Sequence, residues 1–280
     1  MIRLPHALAP VLLRPPSETP VKNRAMPPAS LDFVASGPPD GPAVLLLHGM
    51  LGETDNWRTT LPALARARYR AIAPRLPVYT APLPDTSVAG LAQRVTAFMD
   101  DLAQPVVLVG NSLGGHVAAL AAQARPHAVQ ALVLSGASGM GEMPLGTRVI
   151  RRHDRAFIAD RTAFTFHDPA HATDTLVDQM MGIVGNREQV TRLVRMARSA
   201  SGTSLEGVLP NLPMPTLLVW GREDRLTPPS VARAFAHLLP DARIAWIASC
   251  GHAPMIEQPD AFNEALLGFL AEAVPTRVHG

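Results

Sequence analysis

Three residues that lie far apart in the chain have the side chains needed for nucleophilic catalysis. Ser112 stands in the pattern Gly-x-Ser-x-Gly, directly after the apolar run at 106–109. Asp224 and His252 each follow a later apolar run, so the order along the chain is serine, acid, histidine. A serine hydroxyl becomes a nucleophile when an imidazole takes its proton and an acid orients that imidazole. We therefore expect Ser112 to attack a carbonyl, His252 to act as general base and acid, and Asp224 to orient His252.

The residues around Ser112 predict a tight turn between a strand and a helix. The run at 106–109 is apolar and rich in valine, and the Ala-rich run His116–Ala124 follows the serine. A strained turn of this kind presents the serine hydroxyl beyond the end of a sheet. Gly110 and Gly114 suit such a turn, because side chains there would collide with the crossing strand and helix. The start of the helix would also favour negative charge that develops nearby.

The acid has one close competitor, because Glu223 directly precedes Asp224. Adjacent residues point to different sides of the chain, so only one of the two can reach His252, and we favour Asp224. An acid after the preceding strand is the other placement to consider, but Ser135–Gly139 contains neither Asp nor Glu. Asp224 therefore remains the expected orienting acid.

A carbonyl that is attacked by serine becomes an oxyanion, which needs two preorganised N–H donors. The residue after the nucleophile, Leu113, would supply one of them. The loop that follows the first core strand would supply the other, and Met50 in His48-Gly49-Met50 is the natural candidate. Both donors are backbone groups, so their side chains are not expected to carry the effect.

The elements that must position these residues are strands and helices in alternation. Apolar runs predict strands at 31–35, 43–47, 69–73, 106–109, 131–134, 216–220 and 243–248. Helices are predicted at 54–66, 86–102, 116–124, 229–239 and 260–274. Such alternation indicates a parallel sheet with helices on both faces, and the carboxyl ends of parallel strands share one edge. Ser112, Asp224 and His252 should therefore converge at that edge.

The alternation stops between 140 and 210, where no strand is predicted. Amphipathic helical stretches occupy 147–160, 172–184 and 187–199. We interpret residues 140–210 as a helical cap inserted into a core that comprises 31–139 and 211–280. The remaining residues, 1–30, contain seven prolines and are expected to form a Pro-rich N-terminal arm.

Composition narrows the class of protein. The chain has 280 residues, of which 47% are hydrophobic, so it can bury a sizeable core. Its net charge is +2 and its basic residues form no dense stripe, which argues against nucleic acid as a partner. Cys250 is the only cysteine, which fits a reducing compartment. The sequence contains no run of 18 apolar residues, so we expect no membrane span. We expect a cytoplasmic enzyme with a small-molecule substrate. The sequence leaves open whether the enzyme forms a homodimer.

Several other residues are candidates for substrate binding. Gly49 lies beside the expected oxyanion donor, and Trp57 follows the same loop, where helix packing is favoured over a role in a pocket wall. Asn111 precedes the nucleophile and would either hydrogen-bond to substrate or cap, or only fix the turn. Arg151 belongs to a set of cap arginines that would form either a carboxylate clamp or, as we favour, a solvated helix face. Phe157 would line either the pocket or the interior of the cap.

A metal site is not expected. His167 and His171 have ligating side chains at a spacing of four residues, but Pro169 interrupts the helix that such ligation would need.

Four segments together resemble the α/β-hydrolase superfamily. They are His48-Gly49-Met50, Gly110-Asn111-Ser112-Leu113-Gly114-Gly115, Gly221-Arg222-Glu223-Asp224 and Gly251-His252-Ala253-Pro254, within about residues 31–274. The resemblance implies an α/β fold with an eight-stranded, mostly parallel sheet, helices on both faces and a cap between strands six and seven. It also implies that neither a metal nor an organic cofactor is required.

Within that superfamily the motifs are similar to those of esterases and of the meta-cleavage-product hydrolases, which cleave carbon–carbon bonds. The latter usually carry a Gly-rich oxyanion loop with a proline and a tryptophan after the catalytic histidine; this chain has Met50–Glu53 and Ala253 instead. We therefore expect hydrolysis of a small carboxylic ester through an acyl-enzyme. Carbon–carbon bond hydrolysis of a dienoic keto acid is the alternative, and a non-catalytic accessory protein on the same scaffold is a second alternative.

Overall fold

The computed structural model describes residues 31–141, 151 and 153–275. The strands in this part are β1 (Phe33–Ser36), β2 (Ala43–Leu47), β3 (Arg70–Pro74), β4 (Val106–Asn111), β5 (Val129–Ser135), β6 (Thr216–Gly221) and β7 (Ala242–Ile247). The helices are α1 (Thr60–Arg66), α2 (Val88–Leu102), α3 (Leu113–Ala124), α4 (Arg155–Ala163), α5 (Asp174–Gly185), α6 (Arg187–Gly202), α7 (Pro229–Leu238), α8 (Pro254–Glu257) and α9 (Pro259–Ala273).

The strands form one sheet in the order β1-β3-β2-β4-β5-β6-β7, and only β1 runs antiparallel to its neighbour. Every residue of β2, β4 and β6 is buried. Such continuous apolar strands are expected where helices cover both faces of a parallel sheet. Side chains of α2, α3 and α7 pack on one face, and those of α1 and α9 pack on the other. The predicted α/β fold is confirmed.

The strand count differs from the one that the resemblance implies. Eight strands were expected from it, and the described residues form seven, as the apolar runs themselves predict. β1 is an edge strand that a turn of residues 37–42 joins to β2, and Phe33 and Val34 on it are half-exposed. The N-terminal arm, 1–30, lies outside the described residues.

The prediction of a single helix at 54–66 is also wrong, because the structure has two separate elements there. A 3₁₀ turn occupies Thr54–Trp57, and α1 begins only at Thr60. Pro62 has no N–H to donate back to the preceding turn and is tolerated only near the start of a helix. A continuous helix through Pro62 is therefore disfavoured.

Between β5 and β6 the chain forms α4, α5 and α6, which we call the helical insertion. Of the helix predicted at 147–160, residues 147–150 and 152 lie outside the described residues, and α4 begins at Arg155, where the Asp154 side chain accepts a hydrogen bond from Phe157 N at 3.0 Å. Residues 142–150 and 152 are not among the described ones. The insertion has a small apolar cluster of its own, formed by Ile158, Val177, Met180, Ile183 and Val184.

No helix in the described part of the chain is long and apolar enough to cross a membrane.

Candidate active site

Ser112 lies at the junction of β4 and α3 with an unusual backbone conformation. Its φ is 55°, a left-handed value that costs a non-glycine residue energy and is typical of functional sites. Ser112 N donates to Ser135 O at 2.9 Å, which ties the turn to the end of β5. A Cβ on Gly114 would lie 2.1 Å from Leu47 O, so α3 approaches β2 too closely for any side chain there. The turn thus has the strained geometry that its sequence predicts.

Asp224 and His252 meet at the same edge of the sheet. His252 Nδ1 lies 2.9 Å from Asp224 Oδ2, and both side chains are buried. The other carboxylate oxygen, Asp224 Oδ1, accepts hydrogen bonds from Leu226 N and Thr227 N, each at 2.9 Å. The Thr227 hydroxyl donates to Asp224 Oδ2 at 2.8 Å. Four donors therefore surround one carboxylate and hold it in a single orientation.

The electrostatics favour an ionised Asp224. Burial alone raises the pKa of this carboxyl, but the charge and hydrogen bond of His252, together with the hydrogen bonds from Thr227, outweigh burial and lower the pKa overall. A carboxylate only accepts hydrogen bonds, so His252 Nδ1 must carry the proton. The lone pair on His252 Nε2 is then free to accept a proton from a hydroxyl.

Ser112 and His252 are not hydrogen-bonded to each other through their side chains within the described residues. Bonds between a nucleophile and its base are often long until substrate binds.

Glu223, the neighbouring acid, has a different partner. Its Oε2 accepts a hydrogen bond from Cys250 N at 2.9 Å, two residues before His252. The two adjacent acids therefore hold two different parts of the same loop: Glu223 holds its backbone, and Asp224 holds the imidazole.

The backbone of His252 is held as firmly as its side chain. His252 N donates to Thr165 O at 2.9 Å, and His252 O accepts from Asn111 Nδ2 at 3.0 Å. The imidazole packs on Gly136, where a Cβ would lie 2.9 Å from Nδ1. The φ of Gly136 is 51°, so glycine is favoured there for its backbone as well as for its lack of a side chain.

The expected oxyanion loop lies directly beside Ser112. A Cβ built on Gly49 would be 3.3 Å from Ser112 Cβ. Among the described residues, neither Met50 N nor Leu113 N donates a hydrogen bond to another group. Leu113 is the first residue of α3, where an N–H has no acceptor within the helix. Two backbone N–H groups with no acceptor in the described part of the chain therefore lie in the segments next to the nucleophile.

Two side chains fix the orientation of this loop. His48 Nδ1 donates to Gly49 O at 2.8 Å, while His48 Nε2 accepts from Leu76 N at 3.0 Å, so the ring is neutral. Burial lowers the pKa of His48, which agrees with a neutral ring. Tyr79 OH donates to Met50 O at 2.5 Å. Since a trans peptide directs its N–H opposite to its C=O, holding Gly49 O directs Met50 N–H the other way.

The other sequence candidates occupy different places. Asn111 is buried, and its amide N–H groups donate to Ser135 O and His252 O, so it binds the loops of the site together. Trp57 is fully buried with its ring centroid 6.0 Å from that of Phe262. Arg151 is exposed, 3.9 Å from Asp154 Oδ2, and its guanidinium lies 5.9 Å from the centroid of Phe157. Phe157 packs against the apolar cluster of the insertion.

Sequence reasoning missed the residues that hold the site from outside the motifs. The bond from Thr227 N could have been found, since aspartate side chains commonly accept hydrogen bonds from backbone N–H groups a few residues later. Tyr79, Thr165 and Glu257 have partners at long sequence separations, and no local signal identifies those partners.

Residues 31–141, 151 and 153–275 contain no group of three or more His, Cys, Asp or Glu side chains that could hold a metal ion.

Comparison with known proteins identifies the family of this chain. Residues 44–265 match the model of the alpha/beta hydrolase family. A 2-hydroxy-6-oxononadienedioate/2-hydroxy-6-oxononatrienedioate hydrolase from Comamonas testosteroni is 30% identical over 256 residues, covering 83% of this chain and 88% of that protein.

Solved structures similar to this chain include further hydrolases. An alpha/beta hydrolase enzyme from the metagenome of lagoon sediments at Mar Chica, Morocco, is 32% identical with a TM-score of 0.71, covering 87% of this chain and 95% of that one. A meta-cleavage product hydrolase from Pseudomonas fluorescens IP01 is 25% identical with a TM-score of 0.71, covering 87% and 94%.

Proposed function

This chain belongs to the alpha/beta hydrolase family and is a hydrolase. We propose that it cleaves a small carboxylic ester through a Ser112–His252–Asp224 triad. The observation that carries the proposal is the 2.9 Å contact between His252 Nδ1 and Asp224 Oδ2, beside a serine held in a left-handed conformation.

The reaction proceeds in two halves. Ser112 Oγ attacks the ester carbonyl as His252 Nε2 takes its proton, and the resulting oxyanion accepts hydrogen bonds from Met50 N and Leu113 N. The carbon–oxygen bond then breaks, and His252 returns the proton to the leaving alcohol, which leaves an acyl group on Ser112. Water, activated by His252, releases the acid in the second half by the same route. Asp224 stabilises the imidazolium in both halves.

We also propose that residues 140–210 form a cap that selects the substrate, on a core of 31–139 and 211–280. In support of this division, Leu51 of the oxyanion loop and Tyr79 pack against the apolar cluster of the insertion. A substrate held between them would meet apolar side chains on one side and the oxyanion donors on the other. We also propose a cytoplasmic location, which the buried free thiol of Cys250 fits.

Carbon–carbon bond hydrolysis is the second candidate, and the names of the relatives favour it. The protein from Comamonas testosteroni and the one from Pseudomonas fluorescens are both named for dienoate or meta-cleavage products. That chemistry would use the same serine, histidine and acid. Arg151 gives this second candidate no support, because it is exposed on the surface beside Asp154 and not placed to bind a substrate carboxylate.

The test is hydrolysis of p-nitrophenyl esters, from acetate to decanoate, by the wild type and by Ser112→Ala. We expect kcat/KM to fall at least about a thousandfold in Ser112→Ala, the scale of losing a triad member. Ser230→Ala, which changes an exposed serine at the start of α7, is the matched control and should retain full activity. A wild type that cleaves a coloured dienoate but no ester would favour the second candidate. Ester turnover that survives Ser112→Ala would contradict the mechanism.

A further inference from the structure

The helical insertion contacts the loops of the triad through one short segment, residues 163–167, which we call the anchor segment. Thr165 O accepts the hydrogen bond from His252 N at 2.9 Å. Phe166 O accepts from Arg225 Nη2 at 2.8 Å, and Arg225 follows Asp224 directly. The anchor segment is therefore bonded to both the histidine loop and the acid loop.

Glu257 joins the anchor segment to the residue before His252. Its Oε1 accepts a hydrogen bond from Gly251 N at 2.8 Å, and its Oε2 accepts from His167 N at 2.7 Å. The side chain is buried, with 6% of the residue exposed, and no basic side chain pairs with it among the described residues. Two backbone N–H groups, one on each side of the contact, thus share one carboxylate.

The contact between the two segments is unusually close at Gly251. A Cβ on this residue would lie 2.7 Å from both His167 N and Thr165 O. Backbone therefore packs directly on backbone, with no side chain between them to absorb a displacement. Any shift of the anchor segment would be transmitted to Gly251 and from there to His252.

The position of the imidazole depends on these bonds. The backbone of His252 is held by Thr165 O on one side and by Asn111 Nδ2 on the other. A misplacement of about 1 Å in a catalytic group can cost about a hundredfold in rate. The insertion therefore controls the base even though none of its described side chains bonds to the imidazole.

We propose that Glu257 is a positioning residue for His252: it docks the anchor segment on Gly251, so that the general base is correctly placed only while the insertion is docked. The role deepens the proposed serine mechanism and rests on it. Both oxygens are needed, because an amide offers one acceptor and would set its NH₂ against the other N–H.

Two further titratable groups face this loop. Glu223 accepts from Cys250 N, and the Cys250 thiol lies 3.9 Å from Glu257 Oε1. Burial, followed by the nearby carboxylates, raises the pKa of Cys250, so its thiol remains neutral. Removing the charge of Glu257 takes away one cause of that rise, but burial, the largest cause, remains and keeps the thiol neutral, so the expected effect is on His252.

The experiment measures the second-order rate at which a fluorophosphonate labels Ser112, as a function of pH, in the full-length wild type and in Glu257→Gln. This reagent needs an activated serine but no natural substrate. We expect labelling to slow at least about tenfold in Glu257→Gln. The acid limb of its pH profile should move to lower pH, because a weaker contact with Asp224 and the loss of a nearby negative charge both destabilise the imidazolium.

Thr216→Val is the matched control. It removes another buried hydrogen bond, from Thr216 Oγ1 to Met214 O at 3.2 Å, at the opposite end of β6 from the site. It should lower thermal stability while leaving the labelling rate of the folded protein unchanged. Equal labelling rates in Glu257→Gln and the wild type would overturn the positioning role, as would slower labelling with an unmoved acid limb.

A second variant covers the case in which Glu257→Gln does not fold. Arg225→Met removes the hydrogen bond from Arg225 Nη2 to Phe166 O, which ties the anchor segment to the loop of Asp224. Because Arg225 is exposed, the fold should tolerate the change. We expect slower labelling of the folded variant; labelling at the wild-type rate would overturn the proposal. A wild type that is not labelled at all would instead contradict the serine mechanism, and this inference would fall with it.

Discussion

The loops at the sheet edge and the helical insertion are built in different ways. Every residue of β4, which leads to Ser112, is buried, whereas only Ile158 and Thr162 are buried in α4 of the insertion. The sheet edge is therefore positioned by strands packed on both faces. The insertion has a small cluster of its own and is positioned on the core partly by hydrogen bonds to backbone groups, at residues 163–167 and where the side-chain Nε of Arg192 donates to Ala81 O at 3.0 Å.

Two kinds of interaction therefore set the positions of the catalytic groups. Packed strands fix where the sheet-edge loops begin, and directional hydrogen bonds then fix individual groups such as the Asp224 carboxylate. A helix that is half-exposed can change sequence widely while its few backbone contacts are kept. Substitutions at the sheet edge should therefore affect the rate of the chemical step, whereas comparable substitutions in the insertion outside the anchor segment should affect substrate selection or stability.

The largest effect is expected for Asp224→Asn. The amide oxygen would keep the bonds from Leu226 N and Thr227 N, which places the amide NH₂ against His252 Nδ1. The imidazole must then carry its proton on Nε2, where it cannot accept one from Ser112. We expect kcat to fall about ten-thousandfold, as in other triads, with the fold retained.

Glu223→Gln is the control for that variant, measured by the same ester assay and by circular dichroism. Its amide oxygen can still accept from Cys250 N, so kcat should change little. If Glu223→Gln lost as much activity as Asp224→Asn, the assignment of the acid would be wrong.

Gly136→Ala tests the sheet edge with a single methyl group. The new Cβ would lie 2.9 Å from His252 Nδ1, and the φ of 51° disfavours alanine. We expect kcat to fall about a hundredfold through displacement of the imidazole. Thermal unfolding should show a loss of about 1 kcal/mol from the left-handed conformation. An unchanged kcat would show that the ring can move without cost to the reaction.

Thr227→Val removes a hydroxyl that donates to Asp224 Oδ2 at 2.8 Å and lies 3.3 Å from His252 Nδ1. The bond to the carboxylate outweighs the longer one to the ring, since bonds to charged groups are about twice as strong. Its loss leaves more negative charge facing the imidazolium, so the acid limb of the kcat profile should move to higher pH. We expect kcat to fall about fivefold, the equivalent of about 1 kcal/mol.

Thr227→Ser keeps the hydroxyl and should restore both the rate and the pH profile. A shift of the acid limb to lower pH in Thr227→Val would show that the hydroxyl acts mainly as an acceptor for the ring.

Gly182→Ala adds the same methyl group to the insertion and should have the smallest effect. Gly182 lies within α5, and a Cβ there would meet nothing within 4 Å. Alanine in a helix interior is more favourable than glycine by about 0.5–1 kcal/mol. We expect slightly greater thermal stability at unchanged kcat. A loss of activity comparable to that of Gly136→Ala would remove the distinction between the two regions.

The sequence predicts much of the core and little of what holds it together. Strands appear as apolar runs because a parallel sheet is buried on both faces, so β2, β4 and β6 could be located from the sequence alone. The meeting of Asp224 and His252 could be predicted because the carboxyl ends of parallel strands share one edge. An eighth strand is not among the described ones, and the helix at 54–66 is divided, since Pro62 disfavours its continuation.

The supporting contacts could not be predicted because they join distant backbone groups. Glu257 binds the N–H groups of Gly251 and His167, and any buried carboxylate could do so. The sequence leaves Asn111 either to hydrogen-bond to substrate or cap or only to fix the turn, and it does not indicate the bonds that its amide donates to Ser135 O and His252 O. Side-chain type says nothing about which of many carbonyls will lie nearby once the chain has folded.

The bonds that hold His252 also decide when activity arises as the chain folds. They join residues as many as 141 positions apart, from Asn111 to His252, and they include Thr165 of the insertion. Contacts between such distant residues form late, because the loops between them must close first. Helices such as α2 need only local contacts and form early. During refolding, catalytic competence should therefore return after helical structure does, as one of the last events on the pathway.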